Sequence, residues 1–354
     1  MLQDKLEEYL TFDDVLLLPA FSSISPFNGN IKTRLSKKVV IDLPIVASPM
    51  DTVTGLAMAI NIAKLGGIGF VHRNMEKSKQ VQIITQVKKL GLKVGAAVGP
   101  FDYDRIQALD SEGVDAILID ASHGMKTDII SSAQKIKNMI SADLICGSIG
   151  TEEAAKIYCE FADGLRVGIG PGSICTMRVV TGVGVPQLSA IKNVVKIARA
   201  MNIPIISDGG IKNSGDVAKA IAAGADSVML GNLLSGLDES PGEILEINGK
   251  KYKQYRGMGS SGALQSDIAA DRYEQKDSEQ KIAMGVSGLV PYRGLLSDQL
   301  NQLVGGLKAA MGLIGVRNLN EMYKKSNFVK ITTASLRESH PHSLTSYKSE
   351  INYV

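Results

Sequence analysis

Short apolar, β-branched runs recur along the chain, each ending in or near Gly, Asp, Ser or Pro, and most are followed by a helix-length amphipathic stretch. About eight such units are present, with runs at Pro44 to Pro49, Gly67 to His72, Lys93 to Val98, Ala116 to Asp120, Asp143 to Ser148, Gly164 to Gly168, Pro204 to Asp208 and Ser227 to Gly231. Hydrophobicity that is nearly continuous, without alternation, is what strands covered on both faces of a parallel sheet require. Turns of similar chemistry, Glu112-Gly113-Val114-Asp115, Phe161-Ala162-Asp163-Gly164 and Ala223-Gly224-Ala225-Asp226, stop a helix and start the next strand. Repeated strand-helix units joined by right-handed crossovers favour closure into an α/β (β/α)8 TIM barrel over an open doubly wound sheet. Active-site residues are then expected at the C-terminal ends of the strands.

The pattern lapses between residues 248 and 295, where Gly, Ser and charge dominate, and this stretch is expected to be a mobile flap over the barrel mouth. A helical period resumes from Gln299 to Ile314 through Leu303, Leu307 and Met311. The tail after Lys330 carries one short β-like run and is long enough to reach a neighbouring subunit. Residues 1–354 are thus expected to form a single barrel domain with two appendages.

Composition narrows the partners. The 354 residues, 44% of them hydrophobic, suffice for a barrel-sized core. The 39 basic and 36 acidic residues nearly cancel, and no basic block or aromatic stripe points to nucleic acid. Cys146, Cys159 and Cys175 form neither a paired framework nor a CxxC zinc motif, which fits reduced thiols in a cytoplasmic protein. Met1 to Leu10 mixes Asp4, Lys5, Glu7 and Glu8 with apolar residues, unlike a secretion signal. No apolar run approaches the ~20 residues needed to cross a bilayer, so no membrane role is expected.

One loop concentrates chemistry. Gly168-Ile169-Gly170-Pro171-Gly172-Ser173-Ile174-Cys175-Thr176 follows a predicted strand and gathers a flexible backbone, hydroxyls and a thiol. Glycines let the main chain approach a phosphate closely, and successive amides can cradle the anion. A thiol at a strand end makes Cys175 a candidate nucleophile, against the alternative of an inert core cysteine.

This loop, with Arg178 and Gly182-Val183-Gly184-Val185-Pro186-Gln187, resembles the signature of the IMP dehydrogenase and GMP reductase family. The likeness continues through Ser48-Pro49-Met50-Asp51-Thr52-Val53-Thr54, Gly66-Gly67-Ile68-Gly69, Asp208-Gly209-Gly210-Ile211 and Tyr255-Arg256-Gly257-Met258-Gly259-Ser260, almost the whole chain. The resemblance implies that Cys175 adds to C2 of IMP, that a hydride passes to NAD, and that the covalent purine adduct is hydrolysed to XMP, in guanine nucleotide synthesis. It assigns Ser173, Gly210, Gly231 and Tyr255 to the phosphate and Asp208 to the ribose. Ser48, Met50, Met258 and Gly259 would line the base, with Gly209 and Asn232 also at the substrate. Asp120 and Ser122, with Gly168 and Gly170, would meet NAD, which a barrel can bind across its strand ends without a Rossmann fingerprint. Catalysis would further involve Thr176 and the flap pair Arg272-Tyr273, which activates water. Because arginine has a pKa above ~12, that role demands a closed, shielded site. Carbonyls of Gly170, Gly172 and Cys175, joined by Glu338, Ser339 and His340 of another subunit, would hold a monovalent cation such as K+ in a homotetramer.

The chain also departs from the family pattern. Most members carry a pair of regulatory CBS modules after the second strand-helix unit, whereas here residues 81–93 are expected to run directly from helix to strand. Met177 stands where the family usually has a second threonine, Met284 where it has an acid or amide, and Ser148 where asparagine is common. A thioether cannot donate a hydrogen bond, so Met177 and Met284 bear on the hydrolysis step more than on substrate binding. Two alternatives follow. A GMP reductase is hinted at by Thr181-Gly182 and Leu188-Ser189-Ala190, but is disfavoured by Arg272-Tyr273, by Asp267 to Asp271 and by Val185 in place of an aromatic. A catalytically impaired nucleotide-binding paralogue is suggested by the two methionines. His72 and His123 are expected to be structural.

Overall fold

A computed structural model describes residues 6–345, so residues 1–5 of the Met1–Leu10 stretch lie outside the described residues. The eight predicted runs form eight strands: β1 (Ile45–Ala47), β2 (Ile68–Val71), β3 (Gly95–Val98), β4 (Ala116–Ile119), β5 (Asp143–Ile149), β6 (Gly164–Val167), β7 (Ile205–Asp208) and β8 (Ser227–Leu230). They pair in parallel in chain order, and β8 returns to β1 through Val228–Ile45, Met229–Val46 and Leu230–Ala47, closing the barrel. Helices Leu56–Lys64, Lys77–Lys89, Tyr103–Ser111, Thr127–Met139, Glu152–Cys159, Gln187–Ala200 and Ser214–Ala222 connect successive strands. Leu296–Ile314 packs against Ser214–Ala222. Local chemistry fixes where helices begin: Thr151 Oγ1 accepts the Ala154 N–H at 3.2 Å, and Asn213 Oδ1 accepts the Asp216 N–H at 3.0 Å.

Strand parity sorts the core into two layers. Val46, Ile68, Phe70, Leu118, Ile145, Ile206 and Met229 cluster together and fill the barrel interior. Their chain neighbours Ile45, Ala47, Val71, Ile117, Leu144, Leu165 and Val228 join the larger cluster made with the apolar helix faces. Both faces of each strand are therefore covered, which is why the sequence shows no alternation. The N-terminal end of the barrel is plugged by the hairpin Thr33–Arg34 with Val40–Ile41. There Ser36 Oγ donates to Asp143 at the start of β5 (2.7 Å), and Lys37 N–H donates to the carbonyl of Asp163 before β6 (2.9 Å).

The excursion after β8 is more regular than the sequence suggests. Ile244–Ile247, Lys250–Arg256 and Ser287–Pro291 form a three-stranded antiparallel sheet, and the short helix Asp267–Arg272 lies between its last two strands. Charge hides the strand period: Lys253 is 2% exposed, its ammonium donating to the carbonyls of Leu237 (2.9 Å) and Ser240 (2.7 Å). The tail also differs from expectation. Its strand, Phe328–Lys330, pairs antiparallel with Val15–Leu17, and helix Thr333–Glu338 follows beside Phe12–Asp14. Helix Lys77–Lys89 leads directly through a turn to β3. Among the described residues, no helix is long and apolar enough to cross a membrane.

Phe70 has 0% exposure at the centre of the barrel interior. Phe70→Ala removes a ring that the rigid strands cannot close over, and a stability loss of about 3–5 kcal/mol is expected, read as a lower urea midpoint.

Candidate active site

A cavity of about 330 Å³ opens at the C-terminal ends of the strands. Its wall is built from Ser48 and Met50 after β1, Ser122 after β4, the Gly-rich loop after β6, Asp208, Gly209 and Gly210 at β7, and Gly231 and Asn232 after β8. The excursion roofs it with Tyr255, Met258, Gly259, Arg272 and Tyr273. From the loop, Gly168, Gly170, Gly172, Ser173 and Cys175 all face the cavity. Three groups of predicted residues do not line it. Asp120 lies behind Arg272, Thr176 caps the short helix Met177–Thr181, and Glu338, Ser339 and His340 are exposed at the end of the tail helix.

Backbone bonds lock the loop that carries the thiol. Cys175 N–H donates to Gly172 O (3.1 Å), Thr176 N–H to Met284 O (3.1 Å) and Val286 N–H to Ile174 O (3.0 Å), so the roof is stitched to the loop. Arg178 straps the loop to the following segment, Nε donating to Ile169 O at 3.1 Å and Nη2 to Val185 O. Cys175 is half-buried, whereas Cys146 and Cys159 are buried, and burial pushes the Cys146 thiol far up and that of Cys159 to about 11. Of the three thiols, Cys175 is the one that lines this cavity.

At the far end, Tyr255 is 4% exposed, and burial pushes its hydroxyl well above the ordinary range despite a hydrogen bond with Ser173. It is therefore a neutral donor. Ser48 Oγ is buried without a hydrogen-bond partner, a group that a ligand would satisfy. Gly231 lets these side chains converge: a Cβ there would lie 2.7 Å from Tyr255 Oη and 3.2 Å from both Met50 Sδ and Ser48 Oγ.

The thiol side is dominated by buried charge. Asp120, 2% exposed, accepts from Arg272 Nη1 (2.7 Å) and Arg166 Nη1 (3.1 Å), and Arg73 Nε lies 3.7 Å away. Burial would raise the Asp120 carboxyl, but Arg272, Arg166 and Arg73 outweigh it and hold it below the usual carboxylate range. Arg166, only 1% exposed, also donates to Ser148 Oγ (2.9 Å) and lies 3.9 Å from Asp208. Burial raises the Asp208 carboxyl, and its guanidinium neighbours oppose this. For Arg272, burial acts to lower the pKa, but Asp120 and Tyr273 more than compensate and keep it cationic.

Sequence reasoning passed over Arg73 and Arg166. Arg166 left one signal, a lone charge inside the apolar run Gly164 to Gly168. Met177 and Met284 both line the cavity, so their thioethers do face the reacting space. Ser148 Oγ is taken up by Arg166. His72 is 7% exposed and pushed down to about 4, chiefly by burial, with Asp51 opposing.

Fold and site together define a (β/α)8-barrel protein with a strand-end thiol in a glycine-rich loop beneath a charged roof. The chain belongs to the IMP dehydrogenase / GMP reductase family, whose domain model matches residues 9–342. It is 42% identical to the inosine-5'-monophosphate dehydrogenase of Cryptosporidium parvum over 390 aligned positions, which cover 97% of each chain. It is 43% identical to that of Borreliella burgdorferi over 397 positions, covering 96% of this chain and 98% of the relative. For the Thermoplasma acidophilum enzyme of the same name the identity is 37%, covering 99% and 97%. That alignment spans 474 positions against 354 residues here, so the relative has more than a hundred positions without a counterpart in this chain.

Gly231→Ala places a methyl group where Tyr255, Met50 and Ser48 meet. Affinity for a purine nucleoside monophosphate is expected to fall at least about tenfold, as an overpacked site loses order-kcal/mol complementarity, measured by calorimetric titration.

Proposed function

We propose that this protein is an IMP dehydrogenase, oxidising IMP to XMP with NAD through a covalent bond to Cys175. The observation that carries the reading is a half-buried thiol facing a cavity also lined by an unsatisfied hydroxyl, a tyrosine donor and the guanidiniums of Arg166 and Arg272. The phosphate lies against Ser173, Gly210, Gly231 and Tyr255. Asp208 and Gly209 hold the ribose, and the base rests among Ser48, Met50, Asn232, Met258 and Gly259. The Cys175 thiolate bonds to C2 and makes it tetrahedral, loss of hydride restores the ring with sulfur attached, and water then displaces the sulfur. The balance is IMP, NAD and water to XMP, reduced NAD and one proton.

The donor set suits the dinucleotide: Ser122 offers a hydroxyl, Asp120 a carboxylate for ribose hydroxyls, and Gly168 and Gly170 close backbone approach. NAD, when bound, supplies the hydride acceptor. In support of an ordered reaction, the Asp120 carboxylate is engaged by Arg272, so Arg272 must withdraw before a ribose can use it. Once it returns, Arg272 and Tyr273 seat and activate the hydrolytic water. Thr176, whose N–H is tied to Met284 O, steadies the loop. With Met177 and Met284 on the wall, the dyad carries more of the water's orientation than side-chain donors there would leave it.

Among the described residues, no group of three His, Cys, Asp or Glu side chains is placed to hold a metal ion. The donors are instead carbonyls, those of Gly170, Gly172 and Cys175, which suit weakly hydrated K+. Glu338, Ser339 and His340 of a neighbouring subunit complete that site in a homotetramer. The enzyme is cytoplasmic, serves guanine nucleotide synthesis, and lacks the CBS pair between residues 81 and 93.

Purified protein with K+ is expected to reduce NAD in the presence of IMP. Consumption of NADPH with GMP instead would mark a GMP reductase, and IMP binding without turnover a silent paralogue. Cys175→Ala should bind IMP but lose turnover by at least about a thousandfold, as expected when a covalent nucleophile is removed; persisting turnover would exclude the adduct. Arg272→Ala should retain a burst of reduced NAD while the covalent adduct accumulates, seen as the added nucleotide mass on intact protein. Steady-state turnover equal to wild type would remove Arg272 from the mechanism.

A further inference from the structure

The helix Asp267–Arg272 ends in an acid followed by a base, and each is paired with the barrel. Asp271 Oδ2 accepts from Arg73 Nη1 at 2.7 Å, while Arg272 Nη1 donates to Asp120 Oδ2 at 2.7 Å. Arg73 and Asp120 are themselves in contact, Arg73 Nη2 donating to the Asp120 carbonyl at 3.1 Å. The barrel thus presents a positive and a negative group side by side, and the roof answers with the opposite order. Ser122 N–H, donating to the Arg272 carbonyl at 3.2 Å, fixes the backbone between the two pairs.

Charge counting shows why an acid must accompany the arginine. Without the roof helix, the ion cluster of the barrel mouth holds Arg73, Arg166, Asp120 and Asp208, two cations and two anions. Entry of Arg272 alone would add a third guanidinium and leave a buried excess of one positive charge, which is costly in a medium of low polarity. Asp271 cancels it. When both withdraw, Arg73 and Asp120 still face each other, so the barrel side stays neutral. The contact can therefore form and release without stranding a charge.

Room for the pair is provided by Gly99, after β3. A Cβ there would lie 2.6 Å from Arg73 Nη1 and 3.4 Å from Asp271 Oδ2. Arg73 is 6% exposed at its side chain and Asp271 41%, so the pair is anchored on the barrel and reachable from solvent on the roof. That asymmetry suits a contact made and broken during turnover.

We propose that Asp271 is a positioning residue: its ion pair with Arg73 neutralises the entry of Arg272 and sets how often the Arg272–Tyr273 pair faces Cys175. This rests on the role given to Arg272 in water attack. Since Arg272 also occupies the Asp120 carboxylate, a stronger Asp271–Arg73 pair favours hydrolysis and opposes dinucleotide binding, and a weaker pair does the reverse.

The test uses the full chain with K+, IMP and NAD, following the burst of reduced NAD by stopped flow and the adduct by mass spectrometry of quenched enzyme. Asp271→Asn is expected to keep its burst, to lose about fivefold in adduct hydrolysis and to show a lower KM for NAD, the scale expected of one partly exposed ion pair. Asp271→Glu should recover hydrolysis to within about twofold, and Asp271→Lys should be worse than Asp271→Asn. Gly99→Ala, which displaces Arg73 without changing charge, should reproduce the Asp271→Asn behaviour. A wild-type adduct fraction and KM for NAD in Asp271→Asn would overturn the proposal, as would equal loss of burst and hydrolysis, the mark of a merely structural role. Arg272→Ala serves as the control. If it accumulates adduct while Asp271→Asn does not, the ion-pair proposal alone fails; if Arg272→Ala is without effect, the reading of Arg272 fails and takes the proposal with it.

Discussion

A carboxylate withdrawn from water must be compensated, and at the barrel mouth Asp120 is compensated by guanidiniums from three separate places in the chain. Arg166 comes from within β6, Arg73 from the loop after β2 and Arg272 from the roof. The desolvation of such groups costs several kcal/mol per ion, which Arg166 and Arg73 offset within the barrel and Arg272 offsets further when the roof is in place. The position of the roof is consequently tied to the charge state of the barrel, where Arg166 also lies 3.9 Å from Asp208 at the end of β7. Apolar packing builds the scaffold, and this electrostatic knot holds the roof helix against it.

The barrel was legible in the chain because its strands are buried on both sides, leaving unbroken apolar runs whose ends locate the strand termini to within a residue or two. The chemistry was legible where several residue types crowd one loop, as at Gly168 to Thr176. Residues that act singly were harder to find. Arg73 and Asp271 are far apart in sequence, and nothing local announces that they meet. The antiparallel sheet of the excursion was hidden for a different reason: an inward lysine whose ammonium is satisfied by two carbonyls does not register as a core position. The tail helix was missed because six residues from Thr333 to Glu338, none of them buried, carry no hydrophobic period.

The two methionines on the cavity wall give the site an apolar side next to its charged one. Met177 sits on the loop side and Met284 in the roof, where its backbone carbonyl, not its side chain, holds Thr176. Sulfur there can pack against a purine and exclude loosely held water, but it cannot direct one. In the mechanism proposed above, orientation of the hydrolytic water is then left to Arg272 and Tyr273, which places weight on how the roof is held.

One feature far from the thiol also shapes how the molecule comes into being. Among the described residues, the strand Val15–Leu17 pairs with Phe328–Lys330, and just ahead of it Thr11 forms part of the cavity wall. That pairing joins residues more than three hundred positions apart, a strongly non-local contact of the kind that forms slowly. One wall of the pocket thus leans on a pairing of very high sequence separation, whose loop-closure cost is offset only by the packing of everything between.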